Sequence, residues 1–326
     1  MEYRFELALC AALESPDRVV ARQLGAGVET PGARIVDVCL LSPGPEFDDR
    51  TAISAERIPD PAIGAAVGPG EAVPVAEAFD LPPDRAAAVV ERAVEVGYLE
   101  RERRNGREVV RATARYPDDW VDEIVAVENK PDLGTPGDLE AQLRYDAALG
   151  LFDEVVLATA SYVTRAHLNR IPDAVGVWRF DPETGEREVV REPTPLDPAA
   201  PGVEIRDERP SRTDVALVGP EAKARKRRRV AERAYGKGWR PDRLPACEKA
   251  EPRGPPFGGD DVLPYCAWKG RFVDPARECG PECGGHAPAD PPPTDADAVR
   301  DARTPWTADP DGVASEQVGL DRFGDE

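Results

Sequence analysis

Residues 122–130 read DEIVAVENK, an apolar run that becomes charged at its end. The consecutive apolar residues predict a buried β-strand. Glu128 and Lys130 are two positions apart, so their side chains point to the same face of that strand. Charged groups at the end of a buried strand are costly unless they pair or have a function. A structural ion pair and a functional site are therefore the two interpretations of this segment.

The surrounding sequence predicts an α/β fold with a central mixed sheet flanked by helices, because strand-like and helix-like segments alternate. A helix is expected over 2–14, with Phe5 and Leu9 on one face, and strands over 18–28 and 33–41. After the segment quoted above, we expect a helix at 138–150, a strand at 154–160, a short helix near 163–169 and a strand at 175–180. This core would occupy residues 1–42 and 116–192.

An inserted module is predicted at 73–115, after a loop or linker at 43–72. Two helices are followed by a hairpin at Asn105-Gly106, a pair that favours a tight turn. This order is typical of a winged helix. Its hairpin is basic, and the candidate phosphate contacts there are Arg101, Arg103, Arg104 and Arg107. Contact with DNA and a structural or protein-binding role remain open for this module.

The C-terminal part divides into a basic, cysteine-containing region at 193–284 and an acidic tail at 285–326. The tail has few large apolar residues and is predicted to be mostly disordered. The basic run is a candidate phosphate-contacting surface, with a solvated helix face as the alternative. Its cations are Lys223, Arg225, Lys226, Arg227, Arg228 and Arg229.

The overall charge is −20, from 62 acidic and 42 basic residues, which by itself disfavours nucleic acid as a partner. The same composition is typical of proteins that work in very high salt. In molar salt the repulsion is screened within about 3 Å, so the acidity is a weaker objection. Since neither a long apolar run nor a secretory signal is evident, we expect a cytoplasmic protein without membrane contact.

The six cysteines fall into two groups. Cys10 and Cys39 lie in apolar stretches and are expected to be buried. The other four are Cys247, Cys266, Cys279 and Cys283, with His286 close behind. Four thiolates can hold a zinc ion or an iron–sulfur cluster. Unpaired reduced thiols are the alternative.

Three charged residues suggest phosphodiester chemistry. Such hydrolysis needs a divalent cation, and hard cations such as Mg²⁺ take carboxylate oxygens. Asp37 and Glu128 can supply these oxygens if their strands are neighbours. Lys130 would then lie beside the metal, where it can orient the attacking water.

This arrangement resembles the PD-(D/E)XK nuclease superfamily, whose core runs helix, three strands, helix, strand. The aspartate of that family matches Asp37, preceded here by Val36 rather than proline, and its Glu-x-Lys pair matches Glu128 and Lys130. The inserted module accounts for the long interval between them. The chain also resembles an uncharacterised family of haloarchaeal proteins with the same layout.

The resemblance implies further roles. An acidic residue of the first helix often joins the metal site, which points to Glu6, with Glu2 one turn earlier as the alternative. RecB-like members carry a Gln-x-x-x-Tyr motif on the following helix, where Gln142 and Tyr145 stand here. The expected activity is Mg²⁺- or Mn²⁺-dependent cleavage of DNA. A non-catalytic DNA-binding or regulatory protein on the same scaffold is the alternative.

Overall fold

Strands and helices alternate along residues 2–30, 32–113, 115–135, 137–241, 243–259 and 262–311, the part of the chain that the computed structural model describes. The strands are β1 (Val19–Gly25), β2 (Ile35–Pro43), β3 (Val73–Pro74), β4 (Leu99–Arg104), β5 (Arg107–Ala112), β6 (Val121–Asn129), β7 (Glu154–Thr159), β8 (Gly176–Phe180), β9 (Arg187–Arg191), β10 (Gly202–Arg209), β11 (Arg212–Val218), β12 (Ala250–Arg253), β13 (Leu263–Cys266) and β14 (Arg271–Phe272). The helices are α1 (Glu2–Leu13), α2 (Phe47–Thr51), α3 (Asp60–Ile63), α4 (Val75–Ala78), α5 (Pro83–Glu95), α6 (Leu139–Leu149), α7 (Arg165–Leu168), α8 (Pro220–Lys237), α9 (Pro275–Glu278) and α10 (Ala296–Arg303).

The first of two compact units comprises Met1–Pro43 and Asp122–Trp306. Within the described ranges its main sheet has six strands in the order β1-β2-β6-β7-β8-β9. β6, β7 and β8 run parallel, whereas β1 is antiparallel to β2 and β9 to β8. The predicted α/β fold, a mixed sheet flanked by helices, is confirmed.

The core of this unit explains why the apolar strands are buried. Phe5 and Leu9 of α1 belong to one cluster with Val38 of β2, Val127 of β6 and Val156 of β7. Parallel strands covered by helices carry apolar residues on both faces, as the sequence of β6 does. The helix that follows, α6, ends at Gly150, whose φ of 56° is the left-handed conformation that glycine tolerates at a helix end.

The second unit contains Gly44–Val121, together with residues 307–311. Its small sheet has the order β3-β5-β4, and the hairpin between β4 and β5 turns at Asn105 and Gly106, with φ of 50° and 77°. The predicted helix and hairpin are therefore present. The loop expected at 43–72 is wrong in part, because α2 and α3 lie there and bury Ile63 in the core of this unit.

The inserted segment has paired ends. The amide of Gly44 donates to the carbonyl of Trp120 at 2.9 Å, and the amide of Glu46 donates to Asp119 at 3.2 Å. A side chain at Gly44 would lie 2.4 Å from the carbonyl oxygen of Asp119, so glycine is required for this close approach. The segment between β2 and β6 thus begins and ends at two hydrogen-bonded stretches of backbone, Gly44–Glu46 and Asp119–Trp120, which we call the stem.

The C-terminal part of the first unit is more ordered than the sequence predicts. β10 and β11 form a hairpin, and α8 packs on β1 and β2. Disorder from residue 285 is wrong for residues 296–303, which form α10. Arg300 of this helix is buried, donates to the carbonyl of Ala234 at 3.2 Å and stacks on Trp306 at 4.4 Å. Residues 312–326, also predicted to be disordered, lie outside the described residues.

Candidate active site

Asp37 and Glu128 meet at the boundary between β2 and β6, which are neighbours in the sheet. The backbone amide of Asn129 donates to Asp37 Oδ2 at 3.0 Å. Each of the two carboxyl groups affects the pKa of the other, so they lie close together. Residues that are far apart in the sequence therefore lie close together in the fold.

Glu6 of α1 joins this pair from the neighbouring layer. Its carboxylate accepts hydrogen bonds from Arg22 Nη1 at 2.7 Å, Gln23 Nε2 at 3.1 Å and Asn129 Nδ2 at 3.1 Å. Because Asn129 also binds Asp37 through its backbone, one residue links the two carboxylates. Of the two helix carboxylates considered, Glu6 is the one placed beside Asp37.

Gln23 is an unexpected member of the site. It lies between Arg22, which pairs with Val38, and Leu24, which pairs with Val36, and therefore faces Asp37 across the ladder. Its amide donates to Asp37 Oδ1 at 3.3 Å as well as to Glu6. Its backbone φ is 56°, a left-handed conformation that is costly for a residue with a side chain. Such conformations are concentrated at functional sites.

Arg34 and Asp146 form a second unexpected contribution. Arg34 Nη2 lies 2.6 Å from Glu128 Oε2 and 2.6 Å from Asp146 Oδ2, and its Nε also donates to Asp146. Arg34, Glu128 and Asp146 are all buried. In the sequence, the signals were an arginine just before an apolar strand and an aspartate next to Tyr145, and neither pattern is specific.

Negative charge exceeds positive charge in this cluster. Four carboxylates, those of Glu6, Asp37, Glu128 and Asp146, meet the guanidinium groups of Arg22 and Arg34. Burial is the largest cause of the raised pKa of Glu128, which is about 8. The charge of Arg34 lowers this pKa and the charge of Asp37 raises it, but neither effect is as large as that of burial. Burial also raises the pKa of Glu6, Asp37 and Asp146. The cluster therefore favours a bound proton or an additional cation.

Lys130 lies at the margin of this cluster. It follows the end of β6, its amide donates to the carbonyl of Ala158, and its Nζ is 3.7 Å from Glu2 Oε1. Its side chain is 27% exposed. The ion pair between Glu128 and Lys130 considered from the sequence is replaced by two others, since Glu128 pairs with Arg34 and Lys130 with Glu2.

Gln142 and Tyr145 are on α6, as predicted, with Gln142 half-buried and Tyr145 buried. Burial, followed by the nearby charge of Glu204, raises the pKa of Tyr145 well above its ordinary value. Glu204 accepts from the backbone amides of Val28, Glu29 and Thr30. The interval from Gln142 to Tyr145 is one residue shorter than in Gln-x-x-x-Tyr. The residue types and their position on the helix therefore match the motif, but their spacing does not.

The donor chemistry of the cluster fits a hard divalent cation. Asn129 Oδ1 is buried without a hydrogen-bond partner in the described residues, between groups that bind Glu6 and Asp37. Carboxylate and amide oxygens are the ligands that Mg²⁺ and Mn²⁺ take. Within the same residues no three His, Cys, Asp or Glu side chains are already arranged as the ligands of one ion. Arg22 and Arg34 now engage the oxygens that a cation would use.

A family model matches residues 19–288 and is described as a family of unknown function, DUF5787. The chain belongs to the DUF5787 family. The matched span contains Asp37, Glu128 and Lys130 and begins after α1, so Glu6 lies outside it. No curated protein matches the chain, and no solved structure matches it.

The candidate nucleic-acid contacts of this DUF5787 protein fall into two sets. Arg101, Arg103, Arg104 and Arg107 of the β4–β5 hairpin are exposed. Three of these four have partners in the hairpin itself: Arg101 is 3.7 Å from Glu108, Arg104 is 2.7 Å from Glu102, and Arg103 donates to the carbonyl of Gly106. The positive charge of the hairpin is therefore partly neutralised by its own glutamates, Glu102 and Glu108.

On α8, two of the predicted contacts are wrong. Lys223 is buried, and its Nζ donates to the carbonyls of Asp197 and Ala200 at 3.2 and 2.9 Å. Arg227 donates to the carbonyl of Leu151 and to Asp153. These residues are four apart and lie on the face that packs against the core.

The other cations of α8 differ in exposure. Arg225 is exposed, while Lys226, Arg228 and Arg229 are half-buried. Arg225 lies 3.9 Å from Glu221, one turn earlier on the helix. Arg225 is therefore the best placed of these residues to contact phosphate.

The cysteines are placed as two groups. Cys10 and Cys39 are buried, and burial raises the pKa of Cys39 to about 12. Cys247, Cys266, Cys279 and Cys283 are half-buried free thiols that line one cavity. No helix in the described ranges is long and apolar enough to cross a membrane.

Proposed function

We propose that this protein is a metal-dependent nuclease of the PD-(D/E)XK type that cleaves DNA. The proposal depends on one observation above all, namely that the carboxyl groups of Asp37 and Glu128 lie together on neighbouring strands. Without the inserted segment, the element order α1, β1, β2, β6, α6, β7 is similar to the helix, three strands, helix and strand expected of that superfamily, which supports the proposal. Glu6 from the first helix completes the set of carboxylates.

In the proposed site, some side chains would hold the metal and others orient those ligands. Asp37 and Glu128 would hold Mg²⁺ or Mn²⁺, with Glu6 and the amide oxygen of Asn129 within reach. When bound, such a cation polarises a phosphoryl oxygen and lowers the pKa of its bound water. The amide of Asn129 and the side chain of Gln23 fix the orientation of Asp37. Preorganised ligands of this kind reduce the cost of assembling the site.

Lys130 is the proposed group that positions the attacking water. Its long side chain is partly exposed and lies at the margin of the carboxylates, where Glu2 holds it through one ion pair. A pair this exposed stabilises by at most about 1 kcal/mol, so Lys130 can leave Glu2 for a phosphate or a water molecule. In this proposal Glu2 positions the side chain of Lys130 beside the carboxylates.

Arg34 has a separate role in the proposal. Buried carboxylates that repel one another destabilise the fold unless a cation is present. Arg34 supplies that cation by binding Glu128 and Asp146 together. For Glu128 to hold a divalent ion it would have to turn from Arg34, and Asp146 would retain the arginine through its own hydrogen bonds.

The decisive experiment measures cleavage of single-stranded, duplex and branched DNA in molar KCl with Mg²⁺ or Mn²⁺. We expect cleavage by the native chain and a loss of about 100-fold or more in Asp37→Asn and Lys130→Ala. Asp122→Asn is the matched control, since Asp122 is an exposed carboxylate on the same strand as Glu128. Cleavage that persists equally in all variants would come from a contaminant and would refute the proposal.

A non-catalytic DNA-binding protein is the second candidate, and a specific observation favours it. Arg34 occupies the carboxylate of Glu128 at 2.6 Å and could replace a metal permanently. This alternative predicts DNA binding that is unchanged in Asp37→Asn and independent of Mg²⁺. Binding without cleavage under every metal condition would select it over the nuclease.

A further inference from the structure

A small lobe near the end of the chain brings four thiols to one cavity. Cys247 lies just before β12, Cys266 ends β13, and Cys279 and Cys283 follow α9. All four line the same cavity, together with His286. The sequence positions span three separate segments, so the fold and not the local sequence brings them together.

Contacts around the cavity fix these thiols in the lobe. Cys266 pairs with Ala250 between β13 and β12, which brings it near the Cys247 end of that hairpin. The backbone of Cys247 bridges to Pro288, and the amide of Ala287 donates to Cys247 Sγ at 3.5 Å. This contact holds the sulfur of Cys247 beside the cavity.

Charged side chains also line the cavity. Lys249 and Lys269 are among them, together with Glu278, which lies 2.9 Å from Lys269. The positive charge that Glu278 leaves uncompensated would offset part of the negative charge of four thiolates.

The size of the cavity decides between the two candidate cofactors. Its volume is about 20 Å³, which is enough for one water molecule or one ion. An iron–sulfur cluster contains several metal and sulfide atoms and needs a much larger space. A zinc ion with four sulfur ligands at about 2.3 Å needs only the centre of such a cavity.

We propose that Cys247, Cys266, Cys279 and Cys283 bind one Zn²⁺ ion in a structural site. Each thiol loses its proton on binding, and the four sulfur atoms become the tetrahedral ligands. No three ligands are already arranged for one ion in the described residues, so the backbone would keep its place while the cysteine side chains turn towards the centre of the cavity as the ion binds. His286 remains at the rim because four thiolates complete the coordination of zinc.

The lobe has a physical need for such an ion. Its sheet consists of two four-residue strands and one two-residue strand, β12, β13 and β14. So short a ladder contributes little by itself. Leu263 and Phe272 attach the lobe to the main core, and a metal would stabilise the cysteine-containing segments around them, because its binding free energy becomes folding free energy. The site is independent of the proposed nuclease activity.

The test is elemental analysis of the full chain after zinc is added and excess metal is removed by dialysis. We expect about one zinc per chain and no iron. Cys279→Ser/Cys283→Ser should lose the zinc, while His286→Ala and Cys39→Ala should retain it. Iron with equivalent sulfide, or zinc well below one per chain, would overturn the proposal.

A second measurement uses the native chain and does not depend on whether a variant folds. Zinc-bound thiols should resist alkylation, and a chelator should make four more thiols reactive per chain and lower the Tm. If the number of reactive thiols and the Tm are the same with and without chelator, the four cysteines hold no metal and the proposal is wrong.

Discussion

Arg34 Nη2 lies 2.6 Å from Glu128 Oε2, and both side chains are buried. The same guanidinium group also binds Asp146. A buried ion pair contributes little net stability when intact, but it is costly to break because one charge is left without a partner. The pair therefore makes the candidate site sensitive to substitution, whatever its activity.

Removal of the Arg34 guanidinium should destabilise the protein strongly. We expect Arg34→Gln to lower the free energy of unfolding by about 3–5 kcal/mol, because Asp146 loses its cation and so does Glu128 wherever the pH ionises it. Arg170→Gln is the control, since Arg170 forms an exposed pair with Glu140 and should cost at most about 1 kcal/mol. Urea unfolding measures both, and equal losses would contradict the burial argument.

Stability should depend on pH through Glu128. Its pKa is 4.5 in the unfolded chain and about 8 in the folded one, so the folded state binds the proton more tightly. The stability that the folded protein gains from this proton is fully present below pH 4.5. It is lost as the pH rises to 8, by at most about 1.4 kcal/mol per pH unit. Glu128→Gln should flatten the dependence between these values, as followed by urea unfolding at several pH values. A wild-type curve that rises through this window would refute it.

The backbone of Gln23 provides a test of strain. Gln23→Ala and Gln23→Gly both remove the hydrogen bonds to Glu6 and Asp37, but only glycine adopts a φ of 56° at little cost. Gln23→Gly should therefore be more stable than Gln23→Ala by about 1 kcal/mol.

The same pair of substitutions at Gln142 serves as the control. Gln142 lies within the helix α6, where glycine should be less stable than alanine by about 1 kcal/mol. Thermal unfolding of the four variants shows whether the glycine variant is the more stable one at Gln23 and the less stable one at Gln142. The same order at both sites would mean that the left-handed backbone of Gln23 costs nothing.

The sequence predicted the core strands and helices because their apolar patterns are strong, as in residues 122–129. It also placed Asp37, Glu128 and Glu6 correctly in relation to one another, through their strand and helix positions. It did not predict Arg34, Asp146 or Gln23, because their roles depend on which residues become neighbours after folding. Lys223 was misassigned for a related reason, since a run of cations does not reveal which of them face the core.

Metal binding can be tested separately from cleavage. Mn²⁺ at about 100 times its Kd should raise the free energy of unfolding by about 2.7 kcal/mol. Asp37→Asn should lose this effect, whereas Asp122→Asn should keep it. Unfolding in urea with and without Mn²⁺ gives the comparison, and stabilisation that survives in Asp37→Asn would place the ion elsewhere.

Lys223 should act as a structural residue of α8. Lys223→Ala removes two hydrogen bonds from a buried ammonium group to backbone carbonyls and should lower the free energy of unfolding by about 1–3 kcal/mol. Arg225→Ala, on the exposed side of the same helix, should change stability by less than about 0.5 kcal/mol. In a DNA-binding assay the order should reverse, with Arg225→Ala the weaker binder. A folded Lys223→Ala that binds DNA more weakly than Arg225→Ala would contradict this assignment.

The narrow stem at Gly44 and Trp120 also bears on how the chain folds. Joining distant strands normally requires closure of a long loop, and the entropy lost increases with loop length. Once the inserted segment has folded and its two ends are paired, the path from Asp37 to Glu128 is as short as that of an ordinary connection. Early folding of the insertion would thus lower the entropic barrier to pairing β2 with β6, and the spacing of the two carboxylates along the gene would have little influence on how quickly they meet.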